Sequence, residues 1–370
     1  MRALLALEDG LVLAGESIGA VGSTGGEVVF TTSLTGYQEV LSDPSYRGQI
    51  VVMAYPLIGN YGFNDAWLES HRPQAAGLVV RWAAPAAGGD GADREAGGPD
   101  AARASAGLDA YLRASGVVGI SGIDTRRLVR HLRTAGTRRG VITTDDESPG
   151  DLVARARALP DLGEIDLVAQ VSTADVVRWL APGPRVAVLD CGAKQGIVQC
   201  LRARGCDVVL FPHDTPAAAI RAIEPEGLVV TNGPGDPARL GALAAEVRGL
   251  WEEMPVMGIC LGHQVLALAA GGRTFKLPFG HRGSNHPVRD ETTGRVAITT
   301  QNHGYAVDEA SLAGTGFEVT HYNLHDGTVE GMRHRRLPVF SVQYHPEGRP
   351  GPQDSAHLFD RFLDMVRDHA

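Results

Sequence analysis

The run Pro255-Val256-Met257-Gly258-Ile259-Cys260-Leu261-Gly262 constrains the chain more than any other segment, because a short apolar strand gives way at once to the helix-compatible residues 263–269. A strand that passes straight into a helix needs a sharp turn. Gly258 and Gly262, two residues to either side of Cys260, let the backbone bend tightly enough to project the cysteine from the strand's carboxyl end. The helix then aims its first N–H groups at the sulfur, which favours a nucleophilic thiolate. Cys260 is therefore a candidate nucleophile, set against the plainer reading of one more small buried apolar residue.

A second element moves the balance. Gln343-Tyr344-His345-Pro346-Glu347 follows another apolar run at 338–342. Pro346 pushes His345 toward extended backbone, where residues two apart point to the same side, so Glu347 can reach the His345 ring. Thiol, imidazole and carboxylate are the nucleophile, base and orienter of acyl transfer. A third element is the buried run Gly227-Leu228-Val229-Val230-Thr231, which enters the turn Asn232-Gly233-Pro234-Gly235-Asp236-Pro237. Composition alone leaves that turn open to an ordinary surface reading.

From residue 185 onward, strand and helix patterns alternate: strands at 186–189, 207–211 and 227–231, helices at 194–204 and 216–223. Continuous Val and Leu strands separated by helices predict a doubly wound, mostly parallel sheet with chemistry at the strand carboxyl ends, where Cys260 lies.

Gly-Ile-Cys-Leu-Gly-His-Gln followed by Gln-Tyr-His-Pro-Glu resembles the catalytic pair of a class I glutamine amidotransferase domain, in that family's order and spacing, from about Arg185 to the C-terminus. The resemblance implies a Cys260–His345–Glu347 triad that hydrolyses glutamine to glutamate and ammonia through a thioester. It also implies oxyanion donors at the Gly233 and Leu261 N–H groups, and glutamine contacts from Gly235, Gln264, Asn302, Gly304 and Tyr305. The family more often has phenylalanine at 305, a change that a backbone contact tolerates.

The N-terminal half carries 26–39, Asp43-Pro44-Ser45-Tyr46, 55–62 and Ile123-Asp124-Thr125-Arg126-Arg127-Leu128. These segments are β-rich and punctuated by turns, and they resemble the N-terminal α/β domain of the carbamoyl-phosphate synthase small chain family. On that resemblance Ser45 joins the glutamine site, although by type it is a turn residue bonding nearby backbone. A large synthetase chain is implied as partner, binding ATP with Mg and taking bicarbonate and tunnelled ammonia to make carbamoyl phosphate for arginine and pyrimidine synthesis. The departures are Ser284, where relatives usually carry glycine, and an Ala/Gly/Asp-rich stretch at about 83–106 whose composition predicts a mobile surface insertion.

The expected domains are 1–180 and 185–370, with the boundary at Leu180-Ala181-Pro182-Gly183-Pro184. At 370 residues and 44% hydrophobic content the chain can build two cores. A net charge of −9 without a basic cluster argues against nucleic acid or an anionic membrane as partner. No apolar stretch is long enough for a membrane span or a signal peptide, so a cytoplasmic enzyme is expected. The four cysteines and thirteen histidines show no metal-ligand spacing, and His263, His303, His321 and His325 read as polar contacts or surface residues. No phosphate-binding loop is present, so no cofactor is expected on this chain. Two other readings are a glutaminase serving a different synthetase, against which the N-terminal 180 residues stand, and a silent docking subunit, against which the intact triad stands.

Overall fold

The computed structural model describes residues 1–85 and 107–369, and the chain divides into two compact units, Met1–Ile165 and Asp166–Ala370.

The first unit is a closed seven-stranded barrel. Its strands, with one short strand pair beside them, are β1 (Arg2–Leu7), β2 (Val12–Gly19), β3 (Ser23–Thr31), β4 (Gln49–Met53), β5 (Leu57–Ile58), β6 (Gly77–Val79), β7 (Trp82–Ala83), β8 (Val118–Ser121) and β9 (Arg138–Thr143). Around the barrel the order is β1-β2-β8-β6-β4-β3-β9, with β9 closing onto β1. The pairs β3–β4, β4–β6 and β6–β8 are parallel and the rest antiparallel. The Ile123–Leu128 motif has a local cause: the Asp124 carboxylate accepts from the Arg127 N–H and caps the helix Thr125–Ala135. Ala83, assigned by composition to the insertion, instead pairs in β7 with Ile58 of β5; residues 86–106 lie outside the described residues.

The second unit holds a ten-stranded sheet. Its strands are β10 (Val177–Trp179), β11 (Arg185–Asp190), β12 (Asp207–Pro212), β13 (Gly227–Val230), β14 (Val256–Ile259), β15 (Thr274–Asp290), β16 (Val296–Val307), β17 (Phe317–Asn323), β18 (Val329–His334) and β19 (Val339–Val342). The order is β10-β12-β11-β13-β14-β19-β18-β17-β15-β16. The five central strands β12-β11-β13-β14-β19 are parallel, as their unbroken Val and Leu runs predict. Helices cover both faces. Gly241–Leu250 and Leu261–Ala269 pack in one cluster around Val230 and Val265, and Gln195–Ala203 and His357–His369 in another around Val188 and Phe362. Beyond β19 the sheet continues antiparallel through β18, β17, β15 and β16.

The division falls before the expected boundary at Leu180–Pro184. Backbone pairing explains the difference: β10 lies antiparallel on β12, with Trp179 opposite Val208, and so belongs to the second unit.

Candidate active site

Cys260 follows β14 and caps the helix Leu261–Ala269 with φ 54° and ψ −103°, in the positive-φ region that non-glycine residues rarely adopt. Such a conformation costs on the order of 1–3 kcal/mol and persists only when the surroundings hold it. They do. The Cys260 N–H donates to Val342 O at 2.9 Å, and Cys260 O accepts from the His263 and Gln264 N–H groups at 3.1 and 3.3 Å. The flanking glycines are required by space, since a Cβ on Gly262 would lie 2.0 Å from Val230 O and one on Gly258 2.7 Å from Gly262 O. The cysteine is 2% exposed, and its Sγ lies 3.7 Å from Asn302 O.

His345 follows β19, the strand paired with β14, so the two side chains emerge from adjacent carboxyl ends. His345 Nδ1 and Glu347 Oε1 are 2.8 Å apart, and Glu347 Oε1 also accepts from Lys194 Nζ at 2.7 Å. All three side chains are buried. Burial alone would favour neutral His345, but the Glu347 charge together with the contacts to Cys260 and Glu347 outweighs it, against opposition from Lys194, and raises the imidazole to about 10. Burial likewise disfavours the Glu347 carboxylate, and Lys194 and His345 together hold it well below the usual range. His345 Nε2 makes no hydrogen bond of ordinary geometry among the described residues, although Cys260 is close enough to favour the charged ring. Catalytic contacts are often long before substrate draws them in.

Of the remaining predicted residues of the second unit, Gly233 abuts Leu261, Asn302 O lies near the Cys260 sulfur, and Tyr305 O accepts from the Gln264 side chain. Gly233 is pressed against the strand end, since a Cβ there would lie 2.0 Å from Cys191 O and 2.8 Å from a Leu261 methyl. Gly235 has φ 89°, which its residue type permits. Gln264 donates from Nε2 to Tyr305 O at 2.8 Å and to Gln343 Oε1 at 2.9 Å, tying the nucleophile's helix to β16. That strand carries Asn302, Gly304 and Tyr305.

Two family models match the chain: "Carbamoyl-phosphate synthase small chain, CPSase domain" over residues 5–142 and "Glutamine amidotransferase class-I" over residues 187–365. The chain is 51% identical to the carbamoyl phosphate synthase small chain of Symbiobacterium thermophilum, with 97% of each chain covered. It is 49% identical to that of Methanopyrus kandleri, with 100% of each covered, and 47% identical to that of Bacillus caldolyticus, with 100% of this chain and 97% of the relative covered. The chain belongs to the carbamoyl phosphate synthase small chain family. As a member it is the glutamine amidotransferase subunit of the glutamine-hydrolysing enzyme, with glutamine as substrate and a large chain as partner.

In this small chain Ser45 is the one predicted site residue that belongs to the first unit. It sits, 6% exposed, in the 3-10 turn Pro44–Tyr46, with its N–H donated to Asp43 Oδ1 at 2.9 Å. Among the described residues, no helix is long and apolar enough to cross a membrane.

Lys194 is the site residue that motif reading missed. Its signal was present: lysine occurs only at 194 and 276 among 34 basic residues. Its compact ammonium donates to one carboxylate oxygen of Glu347. The histidines also form a group that linear spacing conceals. His281, His303 and Glu330 bring donor atoms within 4.8 Å of one another from three strands. His281 is already committed there, with Nε2 2.8 Å from Asp326 Oδ2 and Nδ1 3.5 Å from Glu330 Oε1. Burial opposes its charge, yet the two carboxylates raise it to about 9. His263 and His303 are buried polar contacts, with His263 Nδ1 2.8 Å from Ser341 Oγ and His303 Nδ1 2.7 Å from Tyr305 O.

Proposed function

We propose that Cys260 attacks the side-chain amide carbonyl of glutamine, forming a thioester and expelling ammonia, and that water then releases glutamate. The observation that carries this reading is the strained Cys260 turn facing a buried His345–Glu347–Lys194 chain. With His345 charged, two cations and one anion leave net positive charge beside the sulfur, where negative charge develops during acyl transfer. His345 hands its proton to the departing nitrogen, and Glu347 holds the ring by Nδ1.

The tetrahedral oxyanion is held by the Leu261 and Gly233 N–H groups. In the first helical turn the Gly262, His263 and Gln264 N–H groups are engaged by Thr231 O and Cys260 O, and the Leu261 N–H, with no backbone partner among the described residues, is left for a ligand. Gly235, Gln264, Asn302, Gly304 and the Tyr305 backbone hold the glutamine. Ammonia passes through an internal tunnel to the large chain, which makes carbamoyl phosphate from bicarbonate and ATP with Mg for arginine and pyrimidine synthesis in the cytoplasm.

Acid quenching of the enzyme during turnover, followed by peptide mass spectrometry, tests the chemistry. A glutamyl adduct on Cys260 is expected. Turnover without an adduct, persisting in Cys260→Ser, would refute the thioester route.

A further inference from the structure

After Glu347 the chain turns through Gly348, Arg349, Pro350 and Gly351, and its carbonyls are held from several sides. Lys194 Nζ, besides meeting Glu347, donates to Arg349 O. The next carbonyl, Pro350 O, accepts two hydroxyls, from Thr300 Oγ1 at 2.6 Å and Ser284 Oγ at 3.0 Å. Thr300 grips the arm at its other end too, since its own carbonyl accepts the His345 N–H at 2.8 Å. The fit is close: a Cβ on Gly351 would lie 2.1 Å from Thr300 Oγ1 and 3.0 Å from Ser284 Cβ. One residue of β16 thus spans the arm from base to turn, and one residue of β15 doubles the grip.

We propose that Ser284 and Thr300 form a hydroxyl clamp on Pro350 O that positions the His345–Glu347 arm against Cys260. They are positioning residues for glutamine hydrolysis, an inference that rests on the triad reading above. A partly buried carbonyl that loses both donors gains by moving toward other partners, and the arm it belongs to carries the imidazole whose Nε2 must meet the sulfur. Glycine at 284 offers no hydroxyl, so the second bond belongs to chains that carry serine there.

The test uses the complex with the large chain and compares Ser284→Gly, Thr300→Val, the double variant and the conservative Thr300→Ser. The double variant is expected to lower the glutamine-dependent kcat by about threefold or more, the scale of one or two lost hydrogen bonds. The glutamine KM and the ammonia-dependent rate should stay unchanged. Thr300→Ser should restore kcat. Ser284→Gly alone, which removes one hydroxyl and keeps Thr300, guards against a folding artefact. A wild-type kcat in the double variant overturns the clamp, as does a loss expressed in KM or shared by the ammonia-dependent rate. Cys260→Ser runs in parallel: if it stays active the triad reading falls, whereas an inactive Cys260→Ser beside an unaffected double variant sinks the clamp alone.

Discussion

Lys194 Nζ and Glu347 Oε1 lie 2.7 Å apart with side chains 1% and 0% exposed, so the carboxylate that orients His345 is itself neutralised by an ammonium held away from water. Removing Lys194 takes one of two cations from a buried carboxylate and one donor from Arg349 O, whereas removing Glu347 as well leaves no buried anion to compensate. Lys194→Met should therefore lower the chain's denaturation midpoint sharply, and Lys194→Met/Glu347→Gln should recover part of the loss. A double variant as unstable as the sum of the singles would show that the two residues are not coupled.

Cys260→Ser is expected to abolish glutamine-dependent synthesis by the complex and to leave synthesis from free ammonia intact. Serine's hydroxyl is a far weaker nucleophile, and the large chain's chemistry does not use Cys260. Loss of both activities would contradict the division of labour between the chains.

The base should matter more than its orienter. His345→Asn removes proton transfer, worth roughly 10²–10⁴-fold, while Glu347→Gln leaves an imidazole in place. Steady-state rates of the two variants decide this, and equal losses would assign Glu347 a larger part than holding Nδ1.

Ser45→Ala should raise the glutamine KM several-fold with little change in kcat, as loss of one hydrogen bond of about 0.5–1.5 kcal/mol made equally in ground and transition states would do. An unchanged KM would return Ser45 to its turn, where its N–H already serves Asp43.

His281 makes stability depend on pH. Asp326 and Glu330 raise it from 6.5 to about 9 against the effect of burial, while the facing His286 and His303 are lowered by burial and stay neutral. A group raised on folding stabilises fully below its unfolded value of 6.5, and that contribution fades as pH climbs toward 9. His281→Gln should lower Tm at pH 6.5 and flatten the fall in Tm up to pH 9 relative to the wild type. Parallel Tm curves would remove His281 from the linkage.

The parts of this molecule legible in sequence are those whose cause is local. The Val and Leu runs of β11 to β14 announce buried parallel strands, and the two glycines around Cys260 announce a turn that sterics then enforce at Val230 O. The arm carrying His345 and Glu347 reads equally well, because two residues and a proline set its geometry. Lys194 did not read, since 153 residues separate it from Glu347 and no spacing rule spans that interval. The antiparallel continuation of the sheet was hidden as well: β15 contains Pro278, Gly280, Gly283 and Pro287, and its pairing with β16 shifts register twice, which blurs any period-2 pattern. The Pro/Gly stretch after Trp179 that marks the boundary in sequence lies within the second compact unit, because β10 pairs with β12.

Ile259 and Val342 are opposite each other in the β14–β19 ladder, one residue before Cys260 and three before His345. Their separation is a strand spacing, about 4.8 Å, fixed by backbone hydrogen bonds. The hairpin tips of the stretch between them lie outside that ladder. Evolution is therefore free to lengthen, shorten or rewrite the hairpin tips of that stretch, such as Thr292-Thr293-Gly294 between β15 and β16, while the reactive pair keeps its gauge.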